Sequence, residues 1–125
     1  MTVYLDTHVL AMLAEGQSHR LSQPARRAID RSELLTSPAA VLELQLLHEI
    51  GRWSPTASKT VTILATDIGL RVCELPFRTV VERALAETWS RDPFDRLIVA
   101  HAKAANAPLI TKDGRILDNY SRAIW

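Results

Sequence analysis

Four acidic residues in this chain, Asp6, Glu43, Asp95 and Asp113, are spaced so that they can meet at one edge of a folded domain. Asp6 ends the apolar run Val3-Tyr4-Leu5, and Asp113 closes Leu109-Ile110-Thr111-Lys112. Glu43 shares a helical face with Leu46, Leu47 and Ile50, as Asp95 does with Ile98, Val99 and Ala102. An ionised carboxylate on an apolar face needs a partner or a metal. Gathered carboxylates also repel, by ~4 kcal/mol for a pair ~4 Å apart at an effective dielectric of ~20, so such a cluster calls for a cation. Oxygen ligands without cysteine favour Mg²⁺ or Mn²⁺ over zinc. The chemistry such sites serve is phosphoester hydrolysis, in which metal activates water and stabilises the attacking and leaving oxygens.

Each acid also has a purely structural reading. Asp6 and Asp113 suit turns or helix N-caps, and Glu43 can snorkel to water or pair with an arginine. Asp92-Pro93-Phe94-Asp95 describes a well-made helix start, with Asp92 as the cap and Asp95 left free to face the sheet edge. Arg91, Arg96, Lys112 and Arg115 flank the acids and are candidates to grip phosphates. For Arg96 a salt bridge that holds a carboxylate is preferred. His8 is a candidate to orient water. His101 lies too deep in its helix for a role, and Trp53 suits helix-end packing or a dimer contact better than stacking on a base.

The elements that must position these residues alternate short apolar runs with longer segments of helical period, which describes an α/β domain with a mostly parallel sheet. Strands are expected at Val3–Leu5, Leu34–Thr36, Arg71–Glu74 and Pro108–Thr111, with a short fifth at Ala123–Trp125. Ser22 with Pro24, Ser37-Pro38, Ser54-Pro55 and Asp92-Pro93 each open a helix. Ala57, Val61, Leu64 and Ile68 form one apolar stripe, and Phe77, Val80, Val81, Ala84 and Leu85 another. Gly51 and Gly69 fall where left-handed helix ends are expected. In an open parallel sheet the crevice beyond the carboxyl ends of the strands takes the ligand, and that is where Asp6 and Asp113 fall.

The 125 residues suit one domain, 1–125, whose 47% hydrophobic and 23% charged content matches an ordinary globular protein. A net charge of +1 neither requires nor excludes a nucleic-acid partner. Cys73 stands alone, so disulfides and cysteine-based zinc sites are out. Neither a signal peptide nor a membrane span is found, and a soluble cytoplasmic protein is expected.

Four stretches together resemble the VapC-type PIN domains: Val3-Tyr4-Leu5-Asp6-Thr7-His8, Ser37-Pro38-Ala39-Ala40-Val41-Leu42-Glu43-Leu44, Asp92-Pro93-Phe94-Asp95-Arg96-Leu97-Ile98-Val99-Ala100 and Leu109-Ile110-Thr111-Lys112-Asp113. They span nearly the whole chain in the family's order. The resemblance implies helices about a central parallel sheet of four to five strands. It also implies a pocket of Asp6, Glu43, Asp95 and Asp113 and Mg²⁺- or Mn²⁺-dependent cleavage of RNA. A homodimer is implied, silenced by a cognate antitoxin with a segment in or beside the pocket. Thr7 and Thr111 match hydroxyl positions beside the acids in such proteins, and Asp92 and Arg96 stand in a supporting tier. Two rivals are a PIN-fold module without activity and a phosphoacceptor receiver domain. The latter wants an acceptor Asp after its third strand, where this chain has Glu74-Leu75-Pro76.

Overall fold

A computed structural model describes residues 1–125. Strand β1 (Thr2–Leu5) leads into α1 (Thr7–Ala14), and α2 (Gln23–Asp30) returns the chain to β2 (Glu33–Thr36). Next come α3 (Pro38–Glu49), α4 (Ala57–Ile68), β3 (Arg71–Val72), α5 (Phe77–Ala84) and α6 (Pro93–Ala104). The chain finishes with β4 (Leu109–Ile110), α7 (Gly114–Asn119) and β5 (Ala123–Ile124). The five strands form one sheet in the order β3-β2-β1-β4-β5, and all four pairings are parallel. Every connection within it is therefore a crossover, each of them helical, and the carboxyl ends of all strands share one edge.

β1 lies at the centre, with Val3 opposite Leu34 and Leu5 opposite Ile110. A strand covered on both faces is apolar at every position, and Val3, Tyr4 and Leu5 are all buried. Leu10, Leu44, Leu64, Ile98, Leu109 and Ile116 complete a core continuous across the sheet.

Ser22, Ser37 and Asp92 cap their helices as expected, each accepting a backbone N–H. The helix expected from Ser54-Pro55 starts instead at Ala57, where the Thr56 hydroxyl accepts from the Lys59 N–H. Gly69 ends that helix at φ 71°, a backbone region costly to any residue with a Cβ. The apolar stripes need correction. On α5 only Val80 and Ala84 are buried, while Phe77 and Leu85 face solvent. On α3 the stripe shared with Glu43 is not a core face, because Leu46 and Ile50 are exposed. Periodicity places residues on a common face but does not say what covers it.

Candidate active site

β1 and β4 are neighbours, so the residues that follow them emerge side by side. Asp6, 5% exposed, accepts the Thr7 N–H on Oδ1 at 2.7 Å and the Thr111 hydroxyl on Oδ2 at 2.6 Å. The same Thr111 oxygen accepts the Asp113 N–H at 3.0 Å. Thr111, wholly buried, thus ties the two strand-end acids together across a sequence separation of 105 residues from Asp6. Asp113 caps α7, accepting from the N–H groups of Arg115 and Ile116. Asp6 likewise caps α1. The capping and chemical readings of these two aspartates therefore coexist.

Asp95 enters from the first turn of α6, behind the cap that Asp92 makes with the N–H groups of Phe94 and Asp95. Glu43 enters from α3, half-buried beside the Thr7 hydroxyl. The buried Thr7 Oγ1 completes no hydrogen bond, although it stands near enough to favour the ionised Glu43.

The acids feel one another. Burial, and then the negative charge of Asp92, Asp113, Asp6 and Glu43, push the Asp95 carboxyl up to about 7. Burial also raises Asp6, against the hydrogen bonds from Thr111 and Thr7, and it raises Glu43, with Asp6 adding to the effect. The one cation that helps either is His8, exposed at the rim. No three of these side chains stand close enough to grip one ion as they are. The donor set nevertheless fits a hard divalent cation: the ligands are all oxygen, the field is negative, and a buried hydroxyl is left without a partner.

The flanking residues fall out differently from expectation. Arg96 makes no salt bridge to a carboxylate; its guanidinium donates to the backbone carbonyls of Ala84, Leu85 and Ser90. Arg115 donates to the Trp89 carbonyl and lies over the Trp89 ring. Arg91 donates to the Thr88 carbonyl, and Lys112 lies over the Trp125 ring. Trp53 packs into the core with its Nε1–H on the Thr60 hydroxyl. His101 is buried, its Nδ1 bonded to the Ser37 hydroxyl, and burial lowers its pKa. An open cavity of about 760 Å³, lined in part by Tyr4, Leu35, Cys73 and Leu75, lies away from the acids.

Residues 3–122 match the PIN domain. The chain belongs to the PIN-domain family. Three solved structures share its fold. VapBC2 from Rickettsia felis, bound to a DNA fragment from its promoter, is 16% identical with a TM-score of 0.65, covering 94% of this chain and 92% of that one. A toxin–antitoxin complex from Klebsiella pneumoniae is 16% identical with a TM-score of 0.64, covering 98% and 96%. VapBC-1 from nontypeable Haemophilus influenzae is 18% identical with a TM-score of 0.57, covering 94% of each chain. No curated protein matches this PIN domain.

Sequence reasoning missed several buried polar pairs of this PIN domain. Glu87 is buried in an ion pair with Lys103, and the Ser37–His101 pair was not foreseen. The Tyr4 hydroxyl donates to the Cys73 sulfur at 2.7 Å, and burial with that contact raises the Tyr4 pKa. Glu87 sits in a loop, where no periodicity marks a buried position, so only its place between Ala86 and Trp89 hinted at it.

Proposed function

We propose that this PIN domain is a Mg²⁺- or Mn²⁺-dependent endoribonuclease, and that it is the toxin of a cytoplasmic toxin–antitoxin pair. The observation that carries the reading is the gathering of Asp6, Glu43, Asp92 and Asp113 about the half-buried Asp95, whose carboxyl is pushed up to about 7 by burial and then by their negative charge. Such a field destabilises the apo protein and is relieved by a divalent cation. Asp6, Glu43, Asp95 and Asp113 would hold that cation. When bound, it supplies activation of water and stabilisation of the charge that builds on the phosphodiester oxygens.

The chain's own residues do the rest. Thr111 donates to Asp6 and so keeps one Asp6 oxygen oriented by a single hydrogen bond. The Thr7 hydroxyl, unpartnered and beside Glu43, is available to orient that carboxylate. Asp92 fixes the first turn of α6 and adds charge beside Asp95. No side chain here is required as a nucleophile.

The three structural neighbours come from VapBC or toxin–antitoxin complexes, which supports a cognate antitoxin as partner. Exposed apolar residues on α3 and α5 support a homodimer. The deciding experiment is cleavage of a mixed RNA pool with and without Mg²⁺, with sequencing of the product ends. EDTA is expected to abolish cutting and Mg²⁺ or Mn²⁺ to restore it; full activity in a stringently metal-free sample overturns the reading.

A further inference from the structure

The loop between α5 and α6 ends at the Asp92 cap of α6 and carries a charge into the interior. Glu87 is 3% exposed. One of its oxygens accepts from Lys103 Nζ at 2.5 Å, near the far end of α6, and the other accepts from Trp89 Nε1 at 2.6 Å. The Trp89 carbonyl in turn accepts from the Arg115 guanidinium, which also stands 5.8 Å over the indole. Arg115 is in the first turn of α7, and its N–H is held by Asp113 Oδ1 at 2.8 Å. At the other end of the loop the Ser90 hydroxyl accepts the Asp92 N–H at 3.0 Å, and Asp92 caps the turn that carries Asp95.

We propose that Glu87 is a positioning residue: through Trp89 and Arg115 it fixes the spacing between the Asp113 turn of α7 and the Asp95 turn of α6. The inference rests on the metal-site reading above. Two like charges on separate elements push those elements apart, and a tie between the α6 and α7 turns resists that. The loop supplies it, because it is covalently continuous with α6 and bound to α7 through Trp89. A buried carboxylate costs desolvation unless its oxygens are partnered, and Glu87 partners each oxygen with a different part of the assembly. It therefore acts on the acids indirectly, through Trp89 and Arg115, one step beyond the direct partners that commonly control metal affinity.

The test is calorimetric titration of Mn²⁺ into the intact protein, paired with thermal melts in the absence of metal. Glu87→Ala and Trp89→Phe are each expected to weaken Mn²⁺ binding several-fold, less than the roughly 10- to 100-fold that follows loss of a ligand's direct partner. Glu87→Gln, whose amide oxygen still accepts from Trp89, recovers much of that loss. Should Glu87→Ala fail to fold, Trp89→Phe carries the test, since it keeps an aromatic ring and the Glu87–Lys103 pair while removing the N–H link, and the metal-free melt reads the packing lost with the second ring. Wild-type Mn²⁺ affinity in Trp89→Phe and Glu87→Ala overturns the inference and leaves the metal site standing. A lowered metal-free melting temperature with unchanged Mn²⁺ affinity also overturns it, in favour of a role in stability alone. A wild-type chain that binds no Mn²⁺ removes the metal site itself, and Glu87 then has nothing to position.

Discussion

Asp95 and Asp92 stand three residues apart and answer to different physics. Asp92 is exposed and spends its side chain on two backbone N–H groups; Asp95 is half-buried and spends its own on none. The folded protein holds a proton on Asp95 between its ordinary 3.8 and about 7, a range in which the unfolded chain has already released it. The native state thus binds more protons there, so metal-free stability must fall as pH rises through that window. We predict that Asp95→Asn flattens this slope, raises the metal-free melting temperature at pH 8 and abolishes RNA cleavage. Asp92→Asn, by contrast, keeps an oxygen for the cap and should leave stability within a few tenths of a kcal/mol, while Asp92→Ala costs ~1 kcal/mol. Melts of the three variants across pH 4–8, with parallel Mg²⁺-dependent assays, check the assignment. Loss of activity in Asp92→Asn with retention in Asp95→Asn would reverse the roles of cap and ligand.

At the scale of elements, the site depends on how α5, α6 and the loop between them are held. Arg96 gathers three carbonyls of the α5 end and the loop, groups that a helix end leaves without intrahelical partners. Arg96→Met keeps the aliphatic stem and strips these bonds, so a loss of roughly 1–3 kcal/mol is expected by denaturant titration, with slower cleavage. An unchanged midpoint would assign the carbonyls to solvent. Much of this organisation was legible in the sequence. β1 and β4 read as apolar runs ending in acids, and Ser22, Ser37 and Asp92 read as caps, because both signals are local. The same reading gathered Asp6, Glu43, Asp95 and Asp113, whose charges act on one another in the fold. It failed where partners are distant in sequence. Arg96 was expected to hold a carboxylate, and nothing local shows that backbone carbonyls twelve residues away compete for it. Glu43 was singled out by an apolar stripe that proves exposed at Leu46 and Ile50, so that reason fails, and what marks the residue in the fold is its half-buried place beside Thr7 and Asp6.

For the whole molecule, two of the most exposed apolar side chains, Leu42 on α3 and Phe77 on α5, meet at one recess. Phe77 is 68% and Leu42 54% exposed, and both rim a recess of about 210 Å³ floored by Phe94, Leu97 and His101. A face that carries both projecting side chains and a recess sized for one can pair with itself about a twofold axis. We predict a dimer of the 14.0 kDa chain in sedimentation at micromolar concentration, and a folded monomer for Leu42→Glu combined with Phe77→Glu. A monomeric wild type would contradict it. The order of strands carries a different consequence, one for synthesis. Because β1 sits between β2 and β4, Asp6 meets Thr111, 105 residues further along the chain, only when β4 arrives. At roughly 5–20 residues per second a ribosome needs seconds to travel from one to the other. Throughout that interval the nascent chain holds Asp6, Glu43 and then Asp95 without Asp113, and a chain stalled before Leu109 never acquires it. The proposed nuclease is thereby kept incomplete until Asp113 has been made and β4 has docked beside β1.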